Sequence, residues 1–533
     1  MEGAAGKYGS FLLNGRVAWP TLLGRLISSG EYNRGQNGSS SSFSLFDFLG
    51  KYVYQKRPDT KWTFSVFSSG DAGFAQDDLD NGLFLDEFAW LNTAAAIQWR
   101  HTPGKNSVWD AAVYASRYTY QFEETHNLDS YEGVHTNYSE SDVTLQDLSA
   151  NMNYSYSLSN QIDLRTGGQT IRHHFDTYIL ERYSSPKEDT LATRNLGQVA
   201  WENSAYMEAS FRTPSEVLLF TGGLRWSSLY NDSRFFQRWE PRARASLRIL
   251  HSLSLHAGYD RHTQYLHQIV SDIAIFPNDI WLVATAQNPP EQSSQIYAGL
   301  GGEIGKKHPL AWTVEFFTKD FNGLARVLPG SESSLTLTNS IDDIIARDGR
   351  GKSQGLELFL ERQGQKLQWS LAYTLSYSER SYPQINSGAW FPFTFDRRHD
   401  IGAQLVWQAN DKWMFSSNFV YQTGHAFTAP ITTSFLFNIY DDYNNARMPA
   451  FHRLNLGATR SWIPRRKPQQ ARQLAFSVYN AYNRANPYTV EVNPATIYED
   501  PGNPNSNSYY TLKTYTRSLL PLVPGLSYKV IFN

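Results

Sequence analysis

Five consecutive residues, Asp396-Arg397-Arg398-His399-Asp400, hold two carboxylates, two guanidinium groups and an imidazole. Such a run can do one of two things. Asp396, Arg397 and Asp400 can pair into a salt-bridge network that fixes the register of the strand that follows. Alternatively, Arg397, Arg398, His399 and Asp400 can line a channel near its mouth and touch a ligand. Both readings stay open from the residues alone.

Other chemistry-bearing patterns are weaker. Gly351-Lys352-Ser353-Gln354-Gly355 has the spacing of a hydrolase nucleophile elbow. That chemistry needs a helix behind the serine, with His and acid partners nearby, yet the strand-like GLELFLER follows. His173-His174, His251, His256, His262 and His267 invite a metal reading. Adjacent residues of a strand point to opposite faces, so His173 and His174 do not readily share an ion. His262 and His267 flank the start of a loop beside Tyr265 and could face a lumen. No phosphate-binding loop, zinc-protease helix or calcium-binding loop is present in the sequence, and neither a resident metal nor a cofactor is expected. Tyr265, Trp281, Trp390, Phe391, Tyr440 and Tyr443 lie in polar segments, where they could stack on an incoming ligand or pack together as a cap. Asp77-Asp78, Glu123-Glu124, Asp342-Asp343, Asp441-Asp442 and Glu499-Asp500 read as solvated ends, with divalent-cation binding as the alternative.

The elements that must position these residues are strands. The chain has 533 residues, no cysteine, 32 Tyr, 31 Phe and 15 Trp, and a formal net charge of -2. The charge carries no nucleic-acid signal, and the missing cysteines exclude disulfides and thiolate metal sites. Mean hydropathy is -0.48, and no apolar run is long enough for a membrane-spanning helix. A barrel strand, by contrast, puts only every second side chain into lipid and averages out as polar, with Trp and Tyr at both interfaces.

Periodicity carries that reading. Trp369, Leu371, Tyr373, Leu375 and Tyr377 alternate with Ser370, Ala372, Thr374 and Ser376. Ile401, Ala403, Leu405 and Trp407 do the same, and Trp413, Phe415, Phe419 and Tyr421 follow after the short link QANDK. Along the chain there are about 20 such candidates, each about 9–11 residues, the length that crosses a bilayer when tilted. Short links (QKRPDTK, HTPGKN, SLSNQ, RTPSE, GKKHP, RQGQK, QANDK and the longer IPRRKPQQARQ) alternate with long polar segments at 19–42, 122–142, 263–290, 322–350 and 485–518. Lys56-Arg57, Lys306-Lys307 and Arg465-Arg466-Lys467 make several short links basic. The expected fold is all-β: a transmembrane antiparallel up-and-down barrel with short periplasmic turns and long extracellular loops. In the last strand, Leu526, Tyr528, Val530 and Phe532 share one face and Ser527 and Lys529 the other; counted back by parity, it ends on the short-turn side.

Several ordered stretches resemble the barrel of TonB-dependent receptors of the Bacteroidota type: FPFTFDRRHDIGAQLVW, GKSQGLELFLER, FVYQTGHAFTAP with RMPAFHRLNLGAT (opening on Arg447), FSVYNAYNRANPY, and the segment 264–300 in which Pro277, Asp279 and Trp281 match the family pattern. AYMEASFR, TGGLRW and the Glu240–Ala243 step also fit. The resemblance covers nearly the whole chain. It implies an integral protein of the Gram-negative outer membrane that takes up a large scarce solute such as a siderophore, cobalamin or glycan. The family barrel has 22 strands, is closed by an N-terminal plug and is energised through a TonB box. SFLLNGRVAW resembles roughly the third family strand, so residues 1–533 are expected to be barrel alone, with signal peptide, plug and about two strands preceding Met1. Implied partners are outer-membrane lipid and lipopolysaccharide, the barrel-assembly machinery that reads the terminal strand, and the TonB complex when a plug is supplied. Candidate lumen or loop residues are Tyr265, His267, Asp279, Trp281, Trp390, Arg397, Arg398, His399, Asp400, Tyr440, Tyr443 and Arg447. An enzyme is not expected. The alternatives are a passive pore and, less favoured, an outer-membrane enzyme such as a phospholipase.

Overall fold

The computed structural model describes residues 1–18, 40–79, 82–130, 133–231, 234–250, 252–269, 280–328, 341–430, 432–433, 438–439, 441–466, 469–498, 508–518 and 520–532. Within them one antiparallel sheet holds 23 strands, joined by four separate two-stranded ribbons. All but three of the 23 have ten residues or more. Among the described residues no helix is long and apolar enough to cross a membrane.

Alternation produces the sheet because its two faces meet different surroundings. In Gln198–Arg212, Trp201, Met207 and Phe211 are exposed on one face, whereas Glu202, Ser204 and Glu208 fall on the other. Cross-strand register carries the division from strand to strand: Glu202 stands opposite Leu229, Ser204 opposite Ser227 and Glu208 opposite Gly223. Trp201 stands opposite Tyr230, and Tyr230 opposite Phe235, all three exposed. Large exposed apolar side chains on one face and charged side chains on the other make the first a lipid wall and the second a lumen wall. The alternation in Trp369–Tyr377 and Ile401–Trp407 is realised in the same way, with Tyr373 opposite Ile401 and Leu371 opposite Ala403.

Tight links join strands at one end. Arg57 pairs with Thr60, Gly104 with Ser107, Leu250 with Leu253 and Gln363 with Gln368. The Leu250–Leu253 link was not anticipated, because two leucines flanking so short a turn leave no polar run to mark it.

At the other end the expected loop 122–142 is instead strand. Ser107–Ser130 and Gly133–Ser157 run to a tip between Ser130 and Gly133, which face each other in the ladder. Gly133 has φ 126°, a backbone conformation open to glycine. The neighbouring strands Gly82–Gly104 and Ile162–Ser184 have 23 residues each. That is more than twice the length a bilayer needs, so the wall continues far outside it. Alternation of apolar and polar residues, the signal used to delimit strands, ends where lipid ends.

The terminal strand Val523–Phe532 pairs with Gln470–Tyr479, setting Phe476 opposite Leu526, Leu474 opposite Tyr528, Arg472 opposite Val530 and Gln470 opposite Phe532. Leu526 is 75% exposed and Tyr528 54%.

An arginine placed in the lipid wall tests the assignment of faces. Phe316→Arg, at a position standing opposite Ala298 and Leu356, should cost ~2–4 kcal/mol. Ser204→Arg on the other face should cost little. Urea unfolding of both variants folded into phospholipid vesicles measures the difference, and equal losses would refute the assignment.

Candidate functional site

The hairpin of Leu266–Ile269 and Ile280–Val283 folds against the lumen face. Val283 and Ala284 are buried with Phe175, Ala200, Leu229 and Tyr265, and Trp281 packs at the edge of that cluster and against Tyr120, Phe122 and Val143. Leu282 is buried with Ile179, Val327, Ile344 and Ile345. Ile179 and Val327 belong to strands with five others between them in the ladder. Six steps of ~4.8 Å give a path of ~29 Å along the sheet, yet one leucine side chain bridges the cluster. The sheet therefore curls around the hairpin.

Polar contacts fasten the hairpin to the wall. Val283 N donates to Gln198 Oε1 (2.8 Å), and Asn231 Nδ2 donates to the Ala284 carbonyl (2.7 Å). Tyr265, 2% exposed, shares a hydrogen bond with Ser227 Oγ (2.9 Å), which itself donates to Glu240 Oε1 (2.6 Å). Glu240 is buried and faces Arg225 at 3.6 Å, which also reaches Glu202 at 3.8 Å. His173 lies between Asp147 (2.8 Å) and Glu202 (3.6 Å). His267, 1% exposed, meets Glu291 through Nδ1 at 3.0 Å. A continuous belt of paired charges thus lines the lumen face beside the hairpin, each buried carboxylate offset by a cation or a donor.

A second cluster caps the ends of the strands Leu310–Val327, Ile345–Gln363 and Leu367–Ser381. Leu324, Ala346, Tyr382, Ile385, Phe391 and Tyr443 are buried together. Tyr443 stacks edge-on against Phe391 and lies 4.4 Å from the Arg326 guanidinium, which also donates to its hydroxyl. Tyr443 N donates to Asn386 Oδ1 (2.8 Å) and Asn444 Nδ2 to the Pro392 carbonyl (2.8 Å). Trp390 stays 40% exposed, with Lys352 Nζ 4.3 Å above its ring.

Asp396 joins this cluster to the wall. It is 1% exposed, accepts from Ser378 N (2.7 Å) and from Arg447, and faces Arg398 at 3.6 Å. Arg447 also donates to the carbonyls of Asp396 (2.9 Å) and Gly424 (3.3 Å). A Cβ at Gly424 would fall inside the Met448 carbonyl, so the two ends of this loop meet backbone to backbone. Arg397 donates to Gln422, which donates onward to Asp400 Oδ2 (2.6 Å). His399 instead bonds Tyr373 through Nδ1 (2.9 Å), and Arg398 lies over Tyr377 at 3.2 Å. His399 shares the outward parity of Ile401 and Leu405, so it stands on the opposite face from Asp400.

The candidate residues thus divide into three groups. Tyr265, His267 and Trp281 come together in the inward hairpin, Trp390, Tyr443 and Arg447 at the mouth with Arg397 and Asp400, and His399 stands at the outward face, with Arg398 reaching both Asp396 and the Tyr377 ring. Asp279 and Tyr440 lie outside the described residues. Ser353, the serine of the elbow-like spacing, sits mid-strand opposite Lys319 and Ser378. Asp86, Glu124 and His126, which sequence spacing did not connect, bring three metal-donor atoms within 4.8 Å of one another. His126 Nε2 is already engaged there by Glu124 at 2.8 Å.

Residues 15–481 match the family described as TonB dependent receptor-like, beta-barrel. The chain belongs to that family. As a TonB-dependent receptor barrel it is an integral outer-membrane protein of a receptor and transporter family. Among curated proteins no match is found. Solved structures with the same fold include the siderophore receptor PiuA from Acinetobacter baumannii, at 13% identity and TM-score 0.63, covering 98% of this chain and 77% of that one. The ferric yersiniabactin uptake receptor FyuA from Yersinia pestis follows at 12% and 0.62, covering 100% and 77%. The RagAB peptide importer in its closed-closed state is similar at 10% and 0.55, covering 89% and 71%.

Two measurements test how the receptor barrel holds its mouth. Asp396→Ala strands Arg447 and the Ser378 amide, a loss of about 3 kcal/mol for a broken buried pair. Hydrogen exchange in 385–394 and 441–448 should accelerate on the order of 100-fold while the wall strands stay protected; unaltered loop exchange would refute the anchoring role.

The protruding wall supplies the second. Glu87, Glu123 and Glu140 stand directly opposite one another across three strands. Burial first, and then Glu140, Glu87 and Asp142, raise the Glu123 pKa above its ordinary value. Burial first, and then Glu123, Glu140 and Asp142, push Tyr138 up to about 12. For a raised acid the stabilisation is complete below the unfolded pKa and is lost as pH rises through the folded one. Exchange at the tip should therefore slow as pH falls from neutral into the carboxylate range, after correction for intrinsic rates, and Glu123→Gln should flatten that dependence. A profile identical in the variant would contradict it.

Proposed function

We propose that this barrel is the receptor and conduit for uptake of a large scarce solute of the siderophore, cobalamin or glycan type, energised through TonB where a plug domain occupies it. The observation that carries this reading is the inward hairpin. A passive pore works by keeping its lumen open, whereas Trp281, Leu282 and Val283 commit buried apolar surface to a hairpin folded against the lumen wall. Family membership over residues 15–481 supports the same reading, as does the capped mouth built on Tyr443 and Asp396. The solute meets aromatic and cationic groups at the rim, among them Trp390 and Lys352, before it reaches the charged belt.

The belt is suited to transient contacts. Its carboxylates and guanidiniums are already paired at 3.6–3.8 Å around Arg225, so exchanging a partner for a polar solute group costs less than desolvating a free charge. Replacing Leu282 and Val283 with serine removes the apolar anchor of the hairpin. In planar bilayers that variant should conduct well above the parent barrel, and solute uptake by cells should stop when the inner-membrane proton gradient is collapsed. Uptake indifferent to the gradient would reject the energised receptor and favour the pore.

A further inference from the structure

On the inner face of the protruding wall, Phe84, Asp86, Phe88 and Trp90 share one parity of the strand Gly82–Gly104. Tyr120, Phe122, Glu124 and His126 share the matching parity of Ser107–Ser130. Tyr120 and Phe122 are buried with Val143, and Phe88, Trp90 and Trp281 of the inward hairpin pack against them, which puts this parity on the lumen side. Asp86 stands opposite Glu124, and Phe84 opposite His126. Beyond the aromatic cluster, ~13 Å past Tyr120 along the strand, three donors converge. His126 Nε2 lies 2.8 Å from Glu124 Oε1 and 4.0 Å from Asp86 Oδ1, and one donor atom from each residue lies within 4.8 Å of the other two. The Phe84 ring sits 4.3 Å from the imidazole, centroid to centroid, and holds its direction.

An ion pair between His126 and Glu124 accounts for the 2.8 Å contact, but it supplies one positive charge at most against two carboxylates. The surroundings widen the deficit. The stretches 82–90, 118–130 and 133–145 hold seven carboxylates and no lysine or arginine. Arg182, one strand further on, is held by Asp189 at 2.8 Å. A divalent cation would restore the balance, and the donors select its kind. One imidazole nitrogen with two carboxylate oxygens suits Zn²⁺ and its first-row neighbours, whereas Ca²⁺ and Mg²⁺ take oxygen ligands. Bonds of ~2.0–2.2 Å in tetrahedral directions set neighbouring donors ~3.4 Å apart. The observed 2.8 and 4.0 Å bracket that edge, so side-chain rotation alone brings the donors to it. Three protein ligands leave a fourth position for water, and the partial exposure of all three side chains gives the ion a way in.

We propose that Asp86, Glu124 and His126 form a binding site for a divalent cation of the zinc class on the inner face of the protruding wall. The inference is independent of which solute the barrel transports. The test uses the full chain without a histidine tag, purified into detergent, stripped with a chelator and titrated with Zn²⁺ near neutral pH. Calorimetry should show saturable binding that Ca²⁺ and Mg²⁺ at equal concentration do not displace. His126→Ala should weaken it by at least the ~100-fold that loss of an outer-sphere partner can cost, and Asp86→Asn should weaken it as well. His308→Ala, in the link between Glu291–Ile304 and Leu310–Val327 at the opposite end of the strands, should leave it unchanged. Cu²⁺ loaded in place of Zn²⁺ should show imidazole nitrogen coupling in its electron paramagnetic resonance spectrum, and His126→Ala should remove that coupling. Heat-modifiable gel mobility confirms that each variant is folded, and Asp86→Asn and Glu124→Gln serve if His126→Ala is not. No saturable Zn²⁺ binding, affinity unchanged in the ligand variants, displacement of Zn²⁺ by Ca²⁺, or a copper spectrum without nitrogen coupling would each overturn the site.

Discussion

Hydrocarbon offers a peptide group no hydrogen-bond partner, and every other feature of this chain follows from how that need is met. Each backbone donor and acceptor in the lipid zone has to be paired within the sheet. The ladder meets the need for the strands between Gly9–Ala18 and Val523–Phe532, which pair on both sides, with antiparallel register throughout. Because pairing consumes the backbone, the side chains alone decide what each face meets. Period-two alternation then becomes obligatory, and one sequence can present Trp201 to lipid and Glu202 to a charged lumen on adjacent residues.

The hairpin 266–283 draws on the same economy from inside. A ribbon of four-residue strands is too short to stand alone. It is held because Leu282 and Val283 find apolar patches on an otherwise polar face, and because Gln198 and Asn231 satisfy its backbone. The curl that brings Ile179 and Val327 into one cluster is what makes those patches reachable. Hairpin and curvature are therefore mutually dependent: flattening the sheet would separate the two halves of the cluster, and removing the hairpin would leave apolar side chains facing water.

How much of this could be read from the residues varies with what surrounds them. The strand at Trp369–Tyr377 and the terminal strand were legible because lipid on one side forces large apolar residues onto one parity. Glu123 and Glu140 were misplaced in a loop because beyond the lipid both faces are solvated and the alternation disappears, although the pairing continues. The faces of His399 and Asp400 were available by parity with Ile401 and Leu405, a signal that charge clustering obscured. The partnership of Asp396 with Arg447 was not available, since 51 residues separate them and only the fold of the mouth brings them together. The same holds for Asp86 with His126 and for Ser227 with Tyr265, which meet across strands whose relative register no local pattern states.

The strands differ greatly in length around the circuit. Those between Thr60 and Ser184 have 20–25 residues, whereas the strands of the large sheet between His399 and Tyr479 have 10–12. A molecule drifting towards the cell consequently meets a one-sided parapet before it meets the bilayer. Once it touches that surface, its remaining diffusive search is over an area instead of a volume.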